Sequence, residues 1–173
     1  MNYGENLLKF PIESTQQEIE EFEKEATNCY RLAAGVFEYL HNSISVYNQI
    51  GLNITSPGFP ETFSIYPEML MKYCVTIAQV IAIKTAIHKN KSPIVISKLS
   101  IAVYKSFDKI KLQFDELQKL VSNVQHKGST SNLDLDFINL VNEYRIFFRS
   151  FSLKYLALDF EKKEFEFFFI LFF

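Results

Sequence analysis

Apolar residues recur along this chain in steps of three and four, and they do so in four separate stretches. In the first, Ile19, Phe22, Ala26, Tyr30, Ala33, Phe37, Leu40 and Ile44 define one face of a helix. Glu20, Glu21, Glu23, Lys24 and Glu25 are expected on the opposite, solvated side. Thr15 with Glu18 three residues later reads as a capping box, so the helix is predicted to open there and to end near Tyr47. A second stripe, Leu70, Tyr73, Ile77, Val80, Ile81 and Ile87, predicts a helix from about Pro67, since proline suits a first turn. After a short turn through His88 and Asn90, Ser92 and Pro93 cap a third helix, with Ile96, Leu99, Val103, Phe107, Ile110, Phe114, Leu117 and Val121 on its stripe. So short a connection forces antiparallel neighbours. The fourth helix begins near Leu133 and Asp134 and carries Phe137, Leu140, Val141, Tyr144, Phe147, Phe148, Phe151, Tyr155 and Leu158. It is apolar on more than one face, which predicts burial on two sides.

Between the stripes lie breakers. Gly51, Pro57, Gly58 and Pro60 interrupt any regular element after the first helix, and a polar linker with Gly128, Ser129, Thr130 and Ser131 precedes the fourth. No run alternates with a period of two, so the fold class is all-α. Gly35 sits inside the first helix, beside Ala33 and Ala34. A mid-helix glycine costs about 1 kcal/mol relative to alanine, and the expectation is that another backbone approaches closely there. Residues 165–173 hold six of the eighteen phenylalanines. The run is too short to span a bilayer, which takes about 20 apolar residues, and it has no amphipathic period. It reads as packing in a groove, dipping into a membrane interface, or ending a truncated chain; the last reading is favoured.

Composition narrows the function classes. At 48% hydrophobic and 22% charged, the 173 residues suit one globular domain with a real core. A net charge of −2 lacks the basic surplus of a nucleic-acid binder, so no nucleic-acid partner is expected. The five glycines are too scattered to cradle a phosphate. Cys29 and Cys74 stand alone and read as reduced core thiols of a cytosolic protein. Asn53 and Thr55 match a glycosylation acceptor, expected to idle because the N-terminus lacks the apolar stretch of a signal peptide.

Catalytic chemistry finds few residues to stand on. His41, His88 and His126 have no carboxylate or cysteine at ligand spacing, and His88 reads as a solvated turn residue. Glu18 and Glu21 are three apart, but on the outer face of a capped helix. The chain is therefore expected to be no enzyme, with no metal and no cofactor.

Two blocks carry a family resemblance. Residues 33–40 read AAGVFEYL, and residues 78–99 read AQVIAIKTAIHKNKSPIVISKL. They resemble two blocks of the Bro domain shared by Alix, BROX and their relatives, and Tyr155, Ala157 and Leu158 look like a later helix of that domain entering its turn. The resemblance implies antiparallel helix hairpins forming part of a curved, tetratricopeptide-like solenoid. The division it implies is an N-terminal extension over 1–13, a partial helical domain over 14–164, and the hydrophobic tail over 165–173. The chain would be less than half the family domain, without its small sheet or the prenylated end of some members. Family members act as adaptors: a groove takes the C-terminal amphipathic helix of ESCRT-III subunits in endosomal sorting. Carried over, the contact residues are Ala82, Thr85, Val95 and Leu99, flanked by Glu20 and Lys24. Ala82 stands where a large aromatic is found in Alix, and Thr85 where a basic residue is usual. The implied place is the cytoplasm, at endosomes or other membranes, with peripheral membrane contact as an added expectation. Two other readings stay open: a Rho-type signalling scaffold on the same fold, and a small membrane-surface protein anchored by residues 165–173.

Overall fold

The structure, a computed structural model, describes residues 15–52, 60–124 and 135–172, the last eight of these by backbone alone. The expected extension over 1–13, the glycosylation-like motif, the linker over 125–132 and the first residues of the expected fourth helix lie outside them. The described residues form four α-helices and a 3-10 turn and include no strand, so the fold is all-α. The helices are α1 (Gln16–Gln49), α2 (Ile65–His88), α3 (Pro93–Val124) and α4 (Leu135–Phe172), with the 3-10 turn at Pro60–Thr62.

The ends follow local chemistry. The Thr15 hydroxyl accepts from the Glu18 N–H, and the Glu18 carboxylate accepts from the Thr15 N–H at 2.7 Å, which closes the expected capping box. These bonds hold the Glu18 carboxyl below the usual carboxylate range. Helix α1 stops where Gly51 takes a left-handed φ of 80°, with its N–H and that of Leu52 returning to Asn48 and Tyr47. Helix α2 stops the same way. Asn90, at φ 49°, and Lys91 return their N–H groups to Ile87 and Ala86. Pro93 then opens α3, and the carbonyl of Ser92 accepts from Val95 and Ile96.

Each helix packs on its neighbours in sequence, α1 on α2, α2 on α3 and α3 on α4. Contacts at both ends fix the directions. Glu23 meets Thr85 while His41 meets Ser64, so α1 and α2 are antiparallel. Phe63 packs on Leu117 and Val121 while Tyr73 meets Phe107, so α2 and α3 are antiparallel. Ser97 bonds Ser152 while Phe114 lies by Phe137, so α3 and α4 are too. The core lies between α2, α3 and α4. Met69, Ile77, Val103, Phe107, Ile110, Phe114 and Val141 fill it, and Phe107 is stacked against both Tyr144 and Phe148. Burial pushes the Tyr73 phenol well above its usual range, with the nearby phenols of Tyr144 and Tyr30 adding to the shift. Helix α2 is long and apolar enough to cross a membrane by length and composition. Here it packs between α1 and α3.

Four expectations need correction. Gly35 does not meet a close neighbour: a Cβ built there finds nothing within 4 Å. Cys29 is exposed, and only Cys74 is a core thiol. Helix α4 buries one side, not two: Leu135, Ile146, Phe147, Leu153 and Phe160 are exposed, because α3 is its one extensive neighbour. Nor does the chain turn between Tyr155 and Phe165; α4 runs on to Phe172.

Candidate functional site

Among the described residues, Glu23 is the most deeply buried charged side chain. It was expected on the solvated face of α1, yet only 5% of it is exposed. The register explains this. Glu23 lies four residues after Ile19 and three before Ala26, on the stripe facing α2 rather than opposite it. The steps along the stripe carried that signal, which was lost among four neighbouring charges. A buried carboxylate needs partners, because stranding one costs several kcal/mol.

Helix α2 supplies them. The Thr85 hydroxyl donates to Glu23 Oε2 at 2.5 Å, and lies 3.1 Å from its own helix carbonyl, Ile81. Glu23 Oε1 is buried and accepts no hydrogen bond. Two cationic or ionisable groups face it: His88 Nδ1 at 3.3 Å and Lys84 Nζ at 3.8 Å. His88 is exposed as expected, but it is the last residue of α2 and its ring is turned toward Glu23. One turn earlier on α1, Glu20 pairs with Lys89 at 3.8 Å on the surface, and this pair adds little stability.

An open groove of about 840 Å³ lies over this cluster. It is lined by Glu20, Glu21, Lys24 and Arg31 of α1 and by Ala82 and Thr85 of α2, among others. Four of the six residues expected to meet a partner, Glu20, Lys24, Ala82 and Thr85, thus share one groove. Charges of both signs surround an alanine floor, so the groove suits a helix of mixed charge better than a purely acidic one. Thr85 is not a free position awaiting a charge, because its hydroxyl is already committed to Glu23.

The other two expected residues lie elsewhere. Val95 and Leu99 sit on the first two turns of α3, outside the groove lining, and are 40% and 36% exposed. They are one turn apart, so they share a helix face. Neither is a core residue. Among the described residues, no three His, Cys, Asp or Glu side chains are placed to hold a metal ion. Among the described residues, Glu68 is the other carboxylate held away from its usual range. Its partial burial opposes ionisation, but Lys72, His41 and Gln113 together hold it below the usual range.

No family model, curated protein or solved structure matches this chain.

Proposed function

We propose that the chain is a non-enzymatic adaptor module that docks a partner's amphipathic helix, and that the partner is the C-terminal tail helix of an ESCRT-III subunit. One observation carries the reading. The residues that the Bro-domain resemblance marks for contact are all reachable by solvent: Glu20, Lys24, Ala82 and Thr85 in one groove, and Val95 and Leu99 as an exposed apolar pair. Helix-in-groove recognition needs an apolar surface to receive the anchors of the docked helix, with charge beside it, and these positions supply both elements. The open stacking of successive antiparallel helices is compatible with part of a curved solenoid, which is the form this proposal takes for the whole domain. The same reading puts the protein in the cytoplasm, at the membranes where such tails assemble.

Fluorescence anisotropy with a labelled tail-helix peptide tests it. The wild-type chain should bind, and Leu99→Asp should abolish binding while leaving the helical circular dichroism signal intact. The new carboxylate would have to lose water on docking with nothing to pair it. If wild-type chain shows no binding at high micromolar concentration, or if Leu99→Asp binds as well as wild type, the proposal fails.

A further inference from the structure

The outward side of α1 carries a second pattern, distinct from the stripe that packs on α2. Leu32, Val36, Tyr39, Ser43, Val46 and Ile50 follow one another at steps of four, three, four, three and four. That is the spacing of a coiled-coil seam, whose side chains meet a partner helix. Its five large members and the flanking Leu40 and Tyr47 are between 41% and 73% exposed. Single exposed apolar residues need no explanation, but a continuous file of them does. At ordinary side-chain areas these fractions leave roughly 800 Å² facing water, which is one partner's share of a standard interface.

We propose that this seam pairs two copies of the chain, antiparallel, about a two-fold axis level with His41. Three observations select a second copy as the occupant. The first is charge. From Leu32 to Leu52 the one acidic or basic side chain besides His41 is Glu38, which lies off the seam. Identical surfaces can therefore meet without like-charge repulsion.

The second is shape. Antiparallel pairing sets Leu32 against Ile50, Val36 against Val46, and the large Tyr39 against the small Ser43. Parallel pairing would set Tyr39 on Tyr39 and Ser43 on Ser43. The Ser43 hydroxyl already donates to the Tyr39 carbonyl at 2.8 Å, so covering it strands no polar group. The third is Gly35. Among the described residues, nothing uses its missing side chain. Beside the seam, it leaves room for the second helix to approach.

None of the seam residues lines the groove over Glu23, so pairing leaves that groove open. Sedimentation velocity over a concentration series of the full chain tests the proposal, and a reversible dimer is expected. Val36→Glu should keep the helix content and weaken the dimer by about tenfold or more, since the carboxylate would be buried on the second copy's Val46. Combining Val36→Lys with Val46→Glu should restore the dimer, because antiparallel pairing brings the two new charges together. A monomer throughout, a dimer indifferent to Val36→Glu, or a double variant no tighter than Val36→Glu overturns the proposal. Should Val36→Glu unfold the chain, Leu32→Glu, at a position 73% exposed, gives the same readout.

Discussion

Replacing Thr85 by valine isolates what holds Glu23 in place. The two side chains have nearly the same shape, so the change removes a hydroxyl and little else. Glu23 Oε2 then loses its 2.5 Å donor, while Oε1 has no hydrogen bond to begin with. The buried carboxylate would be left with the Lys84 ammonium at 3.8 Å and the His88 ring at 3.3 Å, neither of which makes a well-directed bond to it. A hydrogen bond to a charged group is worth about 1.5–3 kcal/mol, and the 95% coverage of Glu23 argues for the full range rather than a discount. For a chain of this size each kcal/mol moves the melting temperature by about 2–4 °C, so Thr85→Val should lower it by about 3–12 °C. Urea denaturation followed by circular dichroism gives the free energy directly. Adding Glu23→Leu to Thr85→Val should recover part of the loss, because an apolar pair strands nothing. A Thr85→Val variant within about 0.5 kcal/mol of wild type would refute the account of Glu23 as a carboxylate that depends on its donor.

Three further outcomes are expected. Thr15→Ala should cost about 1 kcal/mol by opening the capping box, read by thermal melting at neutral pH. The Glu18 part of that loss should fade as the pH falls, because a carboxyl held below its usual value of 4.5 stabilises the fold only while it is ionised. Gly35→Ala, measured in the monomeric Val36→Glu background, should raise stability by up to about 1 kcal/mol, since its Cβ meets nothing; a lower melting temperature would contradict the open environment. Above pH 10 the unfolded chain ionises tyrosines that the fold keeps neutral at Tyr73 and Tyr30. Stability should therefore hold below pH 10 and decline above it, and Tyr73→Phe should flatten that decline in alkaline urea titrations.

The helices were legible because their signals are local. Stripes at steps of three and four, the Thr15 and Glu18 pair, and the Ser92 and Pro93 step place α1, α2 and α3 within a few residues of where they lie, and reveal the existence of α4 though not its end. What escaped depends on neighbours. The pattern of α4 says that it is apolar nearly all round, but not that one extensive partner covers it, so Phe147 and Leu158 were expected inside and stand outside. Gly35 announces that something is small, not where the space leads. Glu23 was hidden by its company: four flanking charges suggested a solvated face, although its register with Ile19 and Ala26 placed it on the stripe facing α2. Of the site, the four groove residues were grouped by the family resemblance and fall together. Their link to Glu23 is a contact between residues 62 positions apart, and no local pattern encodes it.

Hydrogen–deuterium exchange on the full chain, with and without a saturating ESCRT-III tail-helix peptide, tests the docking claim most directly. Exchange should slow at two places together: the first turns of α3 around Val95 and Leu99, and the α1 and α2 segments bearing Glu20, Lys24, Ala82 and Thr85. Unchanged exchange at both, or protection confined to α4, would contradict it.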